Sequence, residues 1–248
     1  MNKLLQKNFV YLDQINKQKG VKIKIFGERN TGTNFLKLLL KRNIKNVNVL
    51  DGRYCKGSGW KHGFPKSELL NKLKGPVIYI YTERELESWL NSMYRKPYHI
   101  NWYNNFDNFI KKKIIKDTRN KRLDELSYVS AETSYNLIQL RYLKRASLIN
   151  FLDQRDNVVF LNLGWLQKNY RKFINNFCRV YGLKKKWEVV KAIKKYTKTK
   201  EVFGRNTRKD IKFSVSKKIS DEFVNKDVEC KINKLTCIIK KKNDIQRL

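Results

Sequence analysis

The sequence predicts an α/β fold, a three-layer structure in which a parallel β-sheet is flanked by helices. Three β-prone apolar runs, at 21–26, 77–81 and 157–162, are each followed by a segment with helical periodicity. Runs that are apolar almost throughout are typical of central parallel strands, which are buried on both faces. Strands that alternate with helices along a chain form a parallel sheet, because each helix returns the chain to the start of the next strand.

The chain of 248 residues, 41% of them hydrophobic, is long enough to bury the core of a single domain. We expect an N-terminal surface helix over 1–20, an α/β core over 21–183, and a basic extension of helices and loops over 184–248. Within the core we also expect a short strand at 47–50. Four helices are expected at 35–40, 85–95, 131–152 and 165–181, and Gly182 is expected to end the last of them.

The formal net charge is +34, from 56 Lys and Arg against 22 Asp and Glu. Such an excess favours an anionic partner on electrostatic grounds. Nucleic acid, an acidic glycan, a membrane surface and a phosphorylated cofactor all carry the required charge. The charge therefore narrows the class of partner without choosing among them.

Two further features indicate a cytoplasmic protein with no membrane span. The four cysteines, Cys55, Cys178, Cys230 and Cys237, form no C-x-x-C pair and lack the spacing of a zinc site, which favours reduced thiols. Lysines and glutamines interrupt every apolar stretch before Gly20, so the pattern of a signal peptide or membrane helix is not found there.

The residues between the first strand and its helix, Gly27 to Asn34, resemble an anion-binding loop. A strand that ends at a glycine, a short polar turn and a helix together direct several backbone N–H groups at one spot. Gly27 and Gly32 have the spacing of a nucleotide-binding P-loop, G-x-x-x-x-G-K-[ST], but Thr33 and Asn34 replace the lysine and the metal-binding hydroxyl. The loop is thus better suited to one phosphate or phosphosulfate, held without metal, than to nucleotide hydrolysis. The alternative is a turn whose glycines serve only the fold.

A second candidate anion contact follows the strand at 77–81. Ligands of open parallel sheets bind beyond the carboxyl ends of the strands, so Arg84 is expected at the same edge as Gly27. Ser92 lies a little over two helical turns further on and could face the same ligand. Alternatively, Arg84 pairs with Glu87 along an exposed helix face.

The chain contains two histidines, and each is a candidate imidazole base. His62 follows Trp60 and Lys61, and His99 lies in an aromatic segment at 98–107 that could be a lid or an acceptor-binding loop. The alternative for His62 is a structural histidine hydrogen-bonded in or near the core.

Three of these elements resemble, in order, the sulfotransferases that use 3′-phosphoadenosine 5′-phosphosulfate (PAPS). Arg29 to Asn34 resembles that family's P-K-S-G-T-T loop, Lys61-His62 resembles its K-x-H element, and Arg84 with Ser92 resembles its paired Arg and Ser. The resemblance covers about 21–183, and Arg208-Lys209 aligns with the family's basic loop over the 3′-phosphate. The sequence departs from the family at Asn30, which replaces the loop lysine, and in having Lys61 and His62 adjacent.

The resemblance implies metal-independent, in-line transfer of a sulfuryl group from PAPS to an acceptor hydroxyl, which we expect on a carbohydrate. His62 would be the base, with Lys61 and Arg29 offsetting charge on the transferring group and the leaving phosphate. Arg84 and Ser92 would hold the 3′-phosphate. The 5′-phosphosulfate would lie against the N–H groups of the loop, namely those of Asn30, Thr31, Gly32, Thr33 and Asn34. Glu28 and His99 are the alternative bases.

Two other functional classes are compatible with parts of the sequence. A P-loop kinase of a small metabolite would need a magnesium ligand and a phosphate-binding lysine in the loop, and both are absent from it. A non-enzymatic nucleic-acid-binding protein could use the net charge with Trp102 and Tyr103 for stacking, but the chain carries no DNA- or RNA-binding motif. We therefore expect PAPS and a hydroxyl acceptor as partners, and not nucleic acid.

Overall fold

The computed structural model describes residues 20–50, 59–73, 75–95, 105–111, 135–193, 237–241 and 244–247. Several sequence predictions fall outside these residues: the N-terminal helix up to residue 19, His99, Trp102 and Tyr103 of the aromatic segment, and Arg208-Lys209.

Helices and strands alternate through most of the described chain. In order they are β1 (Val21–Gly27), α1 (Thr33–Asn43), β2 (Val47–Leu50), α2 (Ser67–Asn71), β3 (Val77–Glu83), α3 (Leu86–Arg95), α4 (Phe106–Lys111), α5 (Leu137–Asp153), β4 (Asn157–Asn162), α6 (Leu163–Tyr181), β5 (Cys237–Lys241) and β6 (Asp244–Arg247).

The described strands form one sheet in the order β2-β1-β3-β4-β5-β6. The first four strands are parallel to one another, whereas β5 is antiparallel to β4 and β6 is antiparallel to β5. The prediction of an α/β fold with a parallel sheet flanked by helices is confirmed for these four strands. The whole sheet is mixed.

The prediction of helices and loops over 184–248 is wrong for its last described part, which forms β5 and β6. Ile238, Ile239 and Ile245 favour strands, but the lysines between and around them obscure the pattern in the sequence. Strand β5 pairs with β4 through Val159 and Ile239, so it covers an edge that would otherwise present unpaired backbone groups.

Hydrophobic side chains form three buried clusters, two of which join the sheet to helices and one of which joins helices to one another. The largest joins the sheet to α1 and α6 through residues such as Ile23, Ile80, Leu39, Phe173 and Phe177. A second joins it to α2 and α5 through Tyr79, Val158, Leu70, Phe151 and Leu152. The third holds α3, α4 and α5 together through Trp89, Tyr94, Phe109 and Ile138. Each fully buried large apolar side chain contributes about 1.5–3 kcal/mol relative to an exposed one.

Local sequence signals set the ends of the two long helices. At the start of α5, the Asn136 side chain accepts from Gln139 N–H at 2.9 Å while the Gln139 side chain accepts from Asn136 N–H at 3.0 Å. Asn162 caps α6 by accepting from Trp165 N–H at 3.1 Å. Gly182, with φ of 63°, ends α6 as predicted.

The register of the sheet brings three strand ends to one edge. Gly27 pairs with Thr82, and Glu83 pairs with Asn162. The loop after β1, the β3–α3 junction and the start of α6 therefore meet at the carboxyl edge, where α/β proteins bind ligands.

Gly27 lies very close to the end of β3. A Cβ atom there would lie 2.3 Å from Thr82 Oγ1 and 2.7 Å from the Thr82 backbone oxygen. We expect Gly27→Ala to lower the free energy of unfolding by about 3 kcal/mol, since the backbone contact cannot be relieved by a rotamer change. Urea unfolding measures this loss.

Gly59→Ala is the matched control. Its added Cβ would have Lys66 Cβ, at 4.0 Å, as its nearest neighbour among the described residues, and its φ of 70° is left-handed. We expect it to cost about 1 kcal/mol, from backbone conformation alone. An equal loss in both variants would contradict the role of close packing at Gly27.

Candidate functional site

The loop after β1 is a tight turn that ends at the start of α1. Asn30 and Gly32 have left-handed backbone angles, with φ of 64° and 84°. Thr31 donates twice to the Glu28 carbonyl, from its hydroxyl at 2.6 Å and from its N–H at 3.3 Å. Of the N–H groups predicted to hold an anion, that of Thr31 is thus already used within the turn.

The first turn of α1, which lies wholly within the described residues, has no acidic residue and no side-chain cap at Gly32. The first N–H groups of a helix have no partner inside it, and they carry the positive end of the helix dipole. The loop therefore presents backbone donors from Gly32, Thr33 and Asn34 where anionic oxygens are favoured.

Asn30 joins the loop to the β3–α3 junction. Its side-chain Nδ2 lies 3.3 Å from Ser92 O and 3.2 Å from Met93 Sδ, while its own carbonyl accepts from Arg84 Nη1 at 3.4 Å. Asn30 therefore contacts both Arg84 and the Ser92 backbone, which the sequence placed at the same edge as the loop. The Asn30 side chain faces α3 and does not take the place of a loop lysine.

His62 lies against the end of β1. Its Nδ1 is 2.6 Å from the Gly27 carbonyl, and Gly27 N–H donates to the Lys61 carbonyl at 3.0 Å. Because a carbonyl only accepts, Nδ1 carries the hydrogen, which leaves Nε2 of a neutral ring with its lone pair. The imidazole is half-buried and packs edge-on to Trp60, with ring centroids 5.3 Å apart.

The surroundings of His62 favour the neutral ring. Burial, followed by the charges of Lys61 and Arg29 and a smaller effect of Lys144, lowers the pKa of His62 well below 6.5, against an opposing effect of the Gly27 carbonyl. At neutral pH the ring is therefore an acceptor at Nε2.

Two cations lie beside the loop. The Lys61 ammonium donates to the side-chain oxygen of Asn34 on the first turn of α1. The Arg29 guanidinium lies over the Trp60 ring, 4.7 Å from its centroid, and the Arg29 carbonyl accepts from Trp89 Nε1 at 2.8 Å. A further cation, Arg84, has its pKa lowered by burial and by Arg95. The residues predicted to offset anionic charge thus surround the same loop.

Glu28, the first alternative base, is held in an ion pair. Lys144 Nζ lies 3.0 Å from each of its carboxylate oxygens. Both carboxylate oxygens thus already accept from one ammonium. His99, the other alternative, lies outside the described residues.

Sequence reasoning missed the buried cations of α5. Arg141 and Arg145 approach the Glu83 carboxylate at 3.5 and 3.1 Å, and Arg141 also donates to the Arg84 carbonyl at 2.6 Å and stacks 4.5 Å from the Trp89 ring centroid. A signal was present, because Arg141, Lys144 and Arg145 share the helical stripe of the apolar residues Leu137, Leu148 and Leu152. Cations on a buried stripe indicate buried acidic partners.

No protein-family model, curated protein or solved structure matches this chain. Within the described ranges, no helix combines the length and apolar composition needed to cross a bilayer. The same residues contain no cluster of three or more His, Cys, Asp or Glu side chains that could hold a metal ion. Assignment of the site therefore depends on its residues and their geometry.

The lowered pKa of His62 predicts a pH-dependent stability. Between its folded pKa and the ordinary value of 6.5, the unfolded chain binds this proton and the folded chain does not, so stability decreases as the pH falls through that window. One proton contributes at most about 1.4 kcal/mol per pH unit. We expect His62→Gln to reduce the loss of stability between about pH 7 and about pH 5, measured by urea unfolding.

His99 is present in both proteins, so its titration cancels in this comparison unless it contacts His62. Parallel stability curves for the two proteins would contradict the lowered pKa.

Proposed function

We propose that this protein is a PAPS-dependent sulfotransferase with a three-layer, P-loop-containing fold. It would transfer a sulfuryl group to a hydroxyl of a carbohydrate, without metal. One observation carries the proposal: a single loop contacts three of the predicted groups, namely His62 through Gly27, Arg84 through Asn30, and Lys61 through Asn34. The cysteine spacing favours a cytoplasmic location.

The donors around this loop suit phosphate and sulfate oxygens. Backbone N–H groups at the start of α1 and the cations Lys61, Arg29 and Arg84 are all donors, and charge-assisted contacts of this kind are the usual ligands of such anions. Leu163 packs closely against Gly32 at the helix start, since a Cβ there would lie 2.3 Å from Leu163 Cδ1. These donors support the proposal of a ligand that carries phosphate or sulfate groups, such as a bisphosphorylated nucleotide.

His62 is suited to accept the hydroxyl proton. Its Nδ1–H remains bonded to Gly27, which fixes the ring orientation and leaves Nε2 as the acceptor. Part of its lowered pKa comes from Lys61 and Arg29. An anion held against these cations would offset their charge, so the pKa of His62 would rise towards the range in which a base works well at neutral pH.

Lys61 and Arg29 would act on the leaving side of the reaction. As the acceptor oxygen forms its bond to sulfur, the bond from sulfur to the phosphate oxygen breaks and negative charge collects on that oxygen. Cations already held in place stabilise such charge without reorganising. Neither a bound metal nor a loop lysine is needed for this step if both side chains reach the leaving oxygen.

Transfer of labelled sulfate from PAPS tests the function directly, with a panel of glycans, lipids and small alcohols as acceptors. We expect product with at least one glycan, and a rise in melting temperature with adenosine 3′,5′-bisphosphate in the absence of magnesium. Stabilisation by ATP with magnesium alone would support a kinase. Salt-sensitive oligonucleotide binding that the bisphosphate does not alter would support a nucleic-acid-binding protein.

His62→Ala tests the assignment of the base. We expect turnover to fall by about a hundredfold or more, because a general base typically contributes that much. Bisphosphate binding, measured by calorimetry, should persist. Turnover within a few-fold of the unmodified protein would remove His62 from this role and make Glu28 the next candidate.

Arg84→Met tests the 3′-phosphate contact. A hydrogen bond to a charged group contributes about 1.5–3 kcal/mol, so we expect the dissociation constant for the bisphosphate to rise by about 10- to 100-fold. Arg179→Met is the control, since Arg179 is an exposed arginine in the last turn of α6, at the far end of that helix from the loop. Equal effects in both variants would indicate a general charge effect and not a contact.

A further inference from the structure

We infer that Lys144 of α5 is a positioning residue, which neutralises Glu28 and so allows the loop after β1 to hold an anion. The inference rests on the anion-binding part of the proposed function. It concerns an electrostatic conflict between Glu28 and an anion bound at the same loop.

The conflict comes from Glu28. This residue directly follows Gly27 in a loop whose other features favour negative ligands: donors at the start of α1 and the nearby cations Lys61 and Arg29. A carboxylate a few ångströms from a bound phosphate or sulfate repels it, and the repulsion is strong where water is excluded. An unneutralised Glu28 would therefore oppose binding at this loop.

Lys144 provides the opposite charge at close range. Its ammonium lies 3.0 Å from both carboxylate oxygens, in a contact where the Lys144 side chain is 3% exposed and that of Glu28 is 12% exposed. The contact orients the carboxylate towards α5. At this degree of burial the pair is screened much less by salt and water than an exposed pair would be.

The neighbouring cations of α5 are engaged elsewhere. Arg141 and Arg145 face Glu83, and Arg141 also binds the Arg84 carbonyl. Helix α5 thus contacts both the loop and the Arg84 junction, and within it Lys144 is the cation paired with Glu28. Among the described residues, this cluster brings the three cations Arg141, Lys144 and Arg145 together with the two carboxylates of Glu28 and Glu83.

Charge neutralisation and simple structural support predict different effects of the single substitutions on the affinity for the ligand. If Lys144 neutralises Glu28, only the loss of Lys144 weakens binding, whereas a structural pair is disturbed by the loss of either residue. The test uses Lys144→Met, which keeps most of the apolar stem, Glu28→Gln, which keeps the shape, and the double variant. The dissociation constants of adenosine 3′,5′-bisphosphate and of inorganic pyrophosphate are measured for each by calorimetry. We expect Lys144→Met to weaken binding at least tenfold, Glu28→Gln not to weaken it, and the double variant to bind within about threefold of the unmodified protein.

If both single substitutions weakened ligand binding equally, the inference would be overturned, because that is the result expected when the pair only supports the structure of the loop. A double variant as weak as Lys144→Met would also overturn it. Lys144→Met leaves a buried carboxylate and could fail to fold, which circular dichroism would show. In that case the double variant and Glu28→Gln test the inference, because neither contains that carboxylate. Tenfold weaker ligand binding by the double variant would then overturn the inference.

The two ligands separate this inference from the proposed function. If the unmodified protein binds pyrophosphate but not the bisphosphate, the sulfotransferase proposal fails and the pyrophosphate series decides the role of Lys144. If it binds neither, both proposals fail. Lys144→Arg, which keeps the charge, should retain binding within a few-fold of the unmodified protein, and a tenfold loss there would contradict neutralisation by charge.

Discussion

The pairing of Gly27 with Thr82 is the contact on which the candidate site depends. Because Gly27 has no side chain, β1 approaches the end of β3 more closely than any other residue would permit. The Gly27 carbonyl then accepts from His62, and the loop that follows reaches Arg84 through Asn30. The close contact of Gly27 with Thr82, the imidazole and the guanidinium are therefore connected through one short stretch of backbone.

The features that the sequence predicted correctly are those with local signals. The four parallel strands follow from apolar β-prone runs, and the end of α6 follows from Gly182. The edge shared by the Gly27 loop and Arg84 follows from the general rule for parallel sheets. These predictions required knowledge of only a few consecutive residues at a time.

The features that the sequence did not predict depend on distant partners. Lys144 and Glu28 are 116 positions apart, and nothing near Glu28 indicates that its partner lies on α5. The sequence does not indicate whether the Asn30 side chain faces the anion site or α3. It faces Ser92 because of where α3 packs, and that depends on residues distant in the sequence. Strand β5 was missed because abundant lysine obscures its short β-branched run. Its partner residue Val159 on β4 is also distant in the sequence.

The pairing of β4 with β5 also bears on how the protein is made. Strand β4 and helix α6 are translated well before residues 237–241. During synthesis the four parallel strands are therefore present before the strand that pairs with the outer side of β4. Exposed backbone of this kind attracts other extended chains. Pairing with β5 therefore comes late in synthesis, and until then the edge of β4 offers its backbone groups to other extended chains.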